Sequence, residues 1–238
     1  MLLFFETLNK MIKKRPTTQK KSLGITAYQK LYQKILTLEF EPGQSLEEKL
    51  LMEQLNLGRT PIREALLRLA GEKMVESLPG KGFIVRPITL QNVKSTFEMM
   101  KILEIGVVDL MVRHDVTPFL VPLSEASRAV TNAINEKNVL NLVEANHEFH
   151  LQYARCSYNN HLIRFLDEIR GEAKRLSYLS YANEVDPSIS LSEYYRSIIH
   201  EHDSIIFYLK EKNADQLKKT ILEHISTFKK RIIYFMTT

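Results

Sequence analysis

Three histidines occupy inward-facing positions on three separate helical stretches of the C-terminal half. His150, His202 and His224 each recur with apolar neighbours at helical spacing, so each imidazole is predicted to point into a core. Those neighbours are Val139 and Val143 for the first, Ile198, Ile199, Ile205, Ile206 and Leu209 for the second, and Leu217, Ile221, Ile225, Phe228 and Ile232 for the third. A single buried histidine is ordinarily a core residue with a hydrogen-bond partner, whereas three from different helices are an arrangement by which bundles hold metal ions. Spacing alone leaves both interpretations open.

A second group of residues is suited to reading DNA. Arg59 precedes a predicted helix, Thr60 lies in its first turn, and Arg63 lies one turn further along the same face. Side chains at the N-terminal end of a recognition helix reach base edges in the major groove. Lys49 opens the preceding helix and Lys81 lies between two glycines, where each could meet phosphates or approach a groove. Two arginines four residues apart are commonly only a solvated helix face, but this order of basic helix starts and a basic turn is more specific.

The elements that position these basic residues follow from hydrophobic spacing and turn residues. Apolar residues from Tyr28 to Leu38 recur at helical spacing and stop at a Pro-Gly turn, a second helix is predicted from Glu47 to Leu55, and a third begins at Thr60-Pro61. Two short apolar runs, 74–78 and 83–85, flank a Pro/Gly-rich turn and predict a β-hairpin. Three helices followed by a hairpin predict a winged helix-turn-helix over residues 23–88.

The remainder of the chain, residues 89–238, is predicted to be an all-helical bundle. Six helices are expected, near 90–114, 118–135, 138–156, 160–182, 189–212 and 214–236. The clearest break between them is the segment 183–190, which contains Asp186-Pro187. The predicted fold class is therefore mainly α, with a small β-hairpin in the N-terminal part.

Charge and cysteine content indicate the surroundings of the protein. The net charge is +5, and residues 1–22 carry six Lys or Arg against one acid, so the basicity belongs to a tail that we expect to be disordered. Such a tail serves solubility or adds non-specific attraction to phosphates. The single cysteine, Cys156, excludes an internal disulfide framework and indicates a cytoplasmic protein. No apolar run approaches the roughly 18 residues of a membrane span, so no membrane partner is expected.

The N-terminal residues closely resemble the GntR superfamily of winged-helix regulators. The resemblance is carried by Glu41-Pro42-Gly43, Leu46, Leu50, Leu55, the run Arg59-Thr60-Pro61-Ile62-Arg63-Glu64-Ala65-Leu66, Leu69, and Gly80-Lys81-Gly82-Phe83. The helical remainder resembles the FadR branch with its FCD effector domain, so the resemblance covers about residues 25–236. It implies that DNA is contacted by Arg59, Thr60, Arg63 and Gly82, with a further basic contact at Lys49. Gly58 departs from the family's Ser or Thr and lacks a capping hydroxyl worth about 0.5–1 kcal/mol.

The resemblance also implies a divalent metal site. Many members of the branch bind metal through an Asp-x-x-x-His pair and two later histidines, and His150, His202 and His224 match those histidines in order. Asn146 stands at the aspartate position. An amide oxygen can ligate but carries no charge, so the site is expected either to hold zinc or nickel through neutral imidazoles or to have lost its metal.

A further departure concerns the effector pocket. Family members often carry an arginine four residues before a glutamate of the first effector-domain helix, where it can meet a carboxylate ligand. Glu104 matches that glutamate, but Met100 stands at the arginine position and Lys101 would point elsewhere. If the pocket takes an organic acid, a metal would have to supply most of the anion binding.

These features predict a one-component regulator, a repressor, whose DNA affinity changes when a small metabolite, a divalent metal or both bind the helical domain. A homodimer would match a short inverted repeat in double-stranded DNA. The alternatives are a sensor in which the metal itself is the signal and a metal-dependent enzyme. We expect no enzymatic activity, because Glu148 and Glu201 beside the histidines are predicted to point away and no other acid or base stands near.

Overall fold

The computed structural model describes residues 17–237, with side chains from Leu23 onward. The predicted tail, residues 1–22, lies mostly outside the described residues, but the first helix already begins at Thr17, so the end of that tail is helical. The described chain forms two compact units. One contains the first helix up to Ile35 together with residues 43–86, and the other contains residues 36–42 and the chain from Pro87 onward.

The first unit contains three helices and a small sheet. They are α1 (Thr17–Leu36), β1 (Ser45–Leu46), α2 (Glu48–Leu55), α3 (Arg59–Gly71), β2 (Val75–Leu78) and β3 (Gly82–Val85). The predicted hairpin pairs Glu76 with Ile84, and β1 adds an antiparallel strand on the other side of β3, giving the order β1-β3-β2. Strand β1 was not predicted, because two residues are too few to show an alternating pattern.

The turn between α2 and α3 sets the start of the helix that carries the arginines. Asn56 ends α2 in the left-handed conformation with φ 51°, which Asn tolerates better than most residues. Gly58 is the N-cap of α3 and offers no side-chain hydrogen bond, as its lack of a hydroxyl predicts. The apolar face of α3 is fully buried at Ile62, Leu66 and Leu69, which leaves the opposite face free for solvent or DNA.

The second unit is entirely helical within the described residues. Its helices are α4 (Leu90–Met111), α5 (Thr117–Asn135), α6 (Val139–Arg155), α7 (Asn160–Glu172), α8 (Lys174–Ala182), α9 (Leu191–Lys210) and α10 (Ala214–Thr237). The single helix predicted over 160–182 is wrong: it is two helices that meet at Ala173. Gly171, two residues before the break, is a local signal for it, because glycine weakens a helix interior.

Helix α6 contacts α4, α5, α7 and α8, and α9 packs against α10 and α5. Thr89, Asn138, Asn159 and Ser190 cap α4, α6, α7 and α9 through their side chains, and Ser190 forms a full capping box with Glu193. These caps fix where the histidine-bearing helices α6 and α9 begin. None of the helices among the described residues is long and apolar enough to cross a bilayer.

A candidate metal centre and a candidate DNA-reading surface

The structure brings the three predicted histidines together inside the helical unit. His150 on α6, His202 on α9 and His224 on α10 each offer a ring nitrogen, and these three atoms lie within 4.8 Å of one another. His150 and His202 have no solvent exposure, and His224 is 6% exposed. Each ring thus points into the core, as the spacing predicts, and the three helices direct them to one place.

One of the rings, that of His224, is hydrogen-bonded to a carboxylate, and a second carboxylate lies near His150. Oε2 of Glu201 lies 2.7 Å from Nδ1 of His224, and Oε1 of Glu104 lies 3.5 Å from Nδ1 of His150. The opposite nitrogens, Nε2 of His150 and Nε2 of His224, face each other at 3.2 Å. A carboxylate that accepts from Nδ1–H leaves Nε2 as the atom free to bind a metal.

The third ring is held by stacking. His202 lies parallel to Phe149, with ring centroids 3.7 Å apart and an interplanar angle of 10°. Neither of its nitrogens has a hydrogen-bond partner, and the same is true of Oδ1 of Asn146, a buried residue one helical turn before His150. Each such orphaned polar atom costs about 1–3 kcal/mol, and a cation would satisfy Oδ1 of Asn146 and the lone-pair nitrogen of His202.

The donor set fits a divalent metal in its chemistry as well as in its placement. Burial, reinforced by the nearby Arg170, lowers the pKa of His150 to about 3, and burial lowers the pKa of His202 well below its usual value. Both imidazoles are therefore neutral at pH 7, the form that ligates. A bound zinc or nickel ion would supply open coordination positions for an oxygen donor of an effector.

The prediction that Glu201 points away from the cluster is wrong. Glu201 adjoins His202 in sequence, but it reaches across to His224 because α9 and α10 pack side by side. Glu148 does point away, since it is exposed and accepts a hydrogen bond from Gln152 on its own helix. The carboxylates beside the cluster therefore contact Nδ1 atoms on the outer side of the rings.

Arg170 is the residue of this site that the sequence reasoning missed. Met100 and Lys101 take no part in it, since the first is fully buried and apolar and the second is exposed. Arg170 instead comes from the last turn of α7, is buried, and donates from Nε to Oε1 of Glu104 at 2.7 Å. Arg170 follows Ile163 and Leu166 at helical spacing, so the sequence could have indicated that its side chain faces the core.

The Glu104 carboxylate is ionised in this setting. Burial alone would raise its pKa, but the Arg170 guanidinium and then His150 outweigh that effect and lower the pKa to about 2. The carboxylate beside His150 is therefore already paired with a cation, and the pair as a whole carries no net charge.

The predicted DNA-reading residues lie on the exposed parts of the winged unit. The Arg59 and Arg63 side chains are 70% and 55% exposed at the start of α3, and both contact the same carboxylate, Glu48, at 2.9 Å and 3.5 Å. Thr60 and Lys49 are also exposed. Lys81 and Gly82 are exposed at the β2–β3 turn, where Gly82 has φ 83°, a conformation that favours glycine. The contact with Glu48 was not foreseen.

Comparison with known proteins defines the class to which this arrangement belongs. The model of the gntR family of bacterial regulatory proteins matches residues 24–85, and the model of the FCD domain matches residues 95–227. The uncharacterised HTH-type transcriptional regulator YdhC of Bacillus subtilis is 24% identical over 84% of this chain and 86% of its own length. The Nta operon transcriptional regulator of Aminobacter aminovorans is 25% identical over 80% and 85%, and the transcriptional repressor RspR of Escherichia coli is 21% identical over 83% of both.

Solved structures share the fold. Escherichia coli McbR/YncC has a TM-score of 0.69 at 21% identity and covers 90% of this chain and 98% of its own. A GntR regulator from Rhodococcus sp. RHA1 has a TM-score of 0.68 at 18% identity, covering 89% and 98%. Fold and matches together define a winged-helix transcription regulator with a helical C-terminal domain. The chain belongs to the GntR family of bacterial regulatory proteins, and its C-terminal part is an FCD domain of the FadR-like type.

Proposed function

We propose that the protein is a sequence-specific regulator that contacts its operator through α3 and the wing. The observation that carries this proposal is the exposed pair Arg59 and Arg63 at the start of α3, where a recognition helix meets base edges. The proposed contacts are Lys49, Arg59, Thr60, Arg63, Lys81 and Gly82. The lysines meet the phosphate backbone, and the arginines read guanine edges.

The operator is a short inverted repeat bound by a homodimer in the cytoplasm. Two copies related by a two-fold axis present two winged units to two half-sites, which is why a palindromic site suits them. The similarity to RspR, which is a transcriptional repressor, favours repression as the sign of regulation.

The helical unit modulates this binding through a divalent metal, a small metabolite, or both. Support comes from the convergence of His150, His202 and His224 and from the unpaired Oδ1 of Asn146. Zinc and nickel suit such a neutral set. Arg170 does not replace the missing arginine as an anion-binding group, because its guanidinium is already paired with Glu104. A coupling of about 1–3 kcal/mol between the two units is typical of such regulators.

The test compares binding to the gene's own promoter region with binding to random DNA of equal length, at about 0.15 M salt. A specific regulator binds the promoter about 10³-fold or more tightly than random DNA. Equal affinity for both would refute the proposal.

A second candidate is a sensor in which the metal itself is the signal, favoured by the fully buried histidine cluster. Promoter binding that responds to zinc or nickel alone, in protein purified free of metabolites, would support it over an effector-dependent regulator. No corresponding observation favours an enzyme, because the acids beside the cluster contact Nδ1 atoms rather than the Nε2 side.

A further inference from the structure

Glu201 contacts one proposed metal ligand and adjoins another. Its Oε2 lies 2.7 Å from Nδ1 of His224, and the residue directly precedes His202 on α9. The Glu201 side chain is 17% exposed, and that of His224 is 7% exposed. A carboxylate this close to a buried imidazole is well placed to fix the orientation of the ring.

The hydrogen bonds determine which ring nitrogens carry protons. A carboxylate accepts, so Nδ1 of His224 carries the hydrogen and its Nε2 presents a lone pair. Oε1 of Glu104 lies 3.5 Å from Nδ1 of His150, which has no hydrogen-bond partner, so the hydrogen bond from a ring to a carboxylate is made by His224 and not by His150. Nε2 of His150 lies 3.2 Å from Nε2 of His224, so the two Nε2 atoms are close enough to bind one ion together.

The charges around the cluster are unequal. His150, His202, His224 and Asn146 form a ligand set without a negative charge. Arg170 neutralises Glu104, whereas no described Lys or Arg forms an ion pair with Glu201. Two carboxylates lie beside the cluster, and Glu201 is the one whose negative charge is not neutralised by a Lys or Arg among the described residues.

We infer that Glu201 is a positioning residue of the metal site, which holds His224 by its Nδ1–H and supplies from outside the ligand set the negative charge that Asn146 does not bring. This inference rests on the proposed metal binding. The charge that compensates for the missing aspartate then comes from Glu201, which contacts a ligand rather than the metal and lies on α9 instead of α6. The site then binds a divalent ion although its direct ligands are all neutral.

The decisive experiment measures the affinity of the full-length protein for Zn²⁺ and Co²⁺ by competition with a chelator at one fixed pH, together with the absorption spectrum of the Co²⁺ form. Glu201→Gln keeps an acceptor for Nδ1–H but removes the charge, and we expect a loss of about 10–100-fold in affinity. Asp203→Asn, an exposed residue on the same helix, removes the same charge and should leave affinity unchanged.

A double-mutant cycle gives a second readout of the charge of Glu201, which a general weakening of the site by Glu201→Gln would not reproduce. Asn146→Asp puts a carboxylate at the family's position, and its gain in affinity should be larger in the Glu201→Gln background than in the wild type, because there it restores the only missing charge. Equal gains in both backgrounds, or wild-type affinity in Glu201→Gln, would overturn the role of Glu201 while leaving the metal site in place. A wild-type protein that binds neither ion would instead refute the metal part of the proposed function.

Discussion

Arg170 and Glu104 form an ion pair inside the helical unit, with both Nε and Nη2 of the guanidinium donating to Oε1 of the carboxylate. Neither residue has appreciable exposure, and the second carboxylate oxygen has no partner. A buried pair of this kind contributes little net stability, but removal of one member leaves an uncompensated charge in the core. The pair also borders His150, so it joins α4 and α7 to the candidate metal centre.

Replacement of Arg170 by Met should destabilise the protein by about 3–5 kcal/mol, because Glu104 would remain buried without a counter-charge. The double variant Arg170→Met/Glu104→Gln should lose less than the sum of the single changes. Denaturant unfolding measures both. Arg164→Met, on the exposed face of the same helix, is the control and should change stability by no more than about 0.5 kcal/mol. A cost below about 1 kcal/mol for Arg170→Met would contradict the buried pairing.

Arg63 and Lys49 are expected to differ in how their loss affects DNA binding. Arg63→Ala should cost about 1–3 kcal/mol on the operator and relax the preference for one base position, because a base-edge contact is lost. Lys49→Ala should weaken binding to all sequences alike, because it removes only a phosphate contact. Affinities for the operator, for single-base variants and for random DNA distinguish the two patterns. Identical patterns for both variants would argue against the assigned roles.

Glu48 should set the specificity of the two arginines, since it contacts both of them. Glu48→Gln removes a negative charge beside two proposed DNA contacts, so affinity for random DNA should rise a few-fold. The preference for the operator over random DNA should fall, because the arginines lose the carboxylate that orients them as a pair.

The matched control for this change is Glu53→Gln. It removes the same charge from an exposed position on the same helix, away from Arg59 and Arg63. We expect it to leave the operator preference intact. If Glu48→Gln keeps the operator preference as fully as Glu53→Gln does, the ion pairs do not orient the arginines.

The single thiol reports on the core of the helical unit. Burial raises the pKa of Cys156 to about 12 from an ordinary value near 9. A group whose pKa is raised by folding contributes stability that is fully present below the unfolded pKa and is lost as pH rises toward the folded pKa. The contribution from Cys156 should therefore decline between about pH 9 and 12.

At pH 8 the native protein should react with a thiol reagent only as fast as the core opens, and immediately once denatured. The control combines Cys156→Ser with Ser95→Cys, which places the only thiol at an exposed position of α4. That variant should react at once in the native state. Rapid labelling of native Cys156 would contradict its burial.

Much of the fold was predictable because burial in a helix follows a local period. The stripes around His150, His202 and His224 show in the sequence that each ring faces inward, and Asn56 and the wing glycines mark their turns by their backbone preferences. The same period predicted the face of α3 that leaves Arg59 and Arg63 exposed.

The contacts between helices could not be obtained in this way. Periodicity indicates which face of a helix is buried, but it does not specify how far one helix slides or rotates against the next, and a shift of a few ångströms changes every partner. Glu201 was therefore predicted to point away although it binds His224, and Arg170 was overlooked although it binds Glu104. The winged-helix unit and the three inward histidines can thus be recognised from local patterns of residues. The convergence of the ring nitrogens and the contact of Glu201 with His224 could be seen only in the folded protein, because those distances depend on the packing of whole helices.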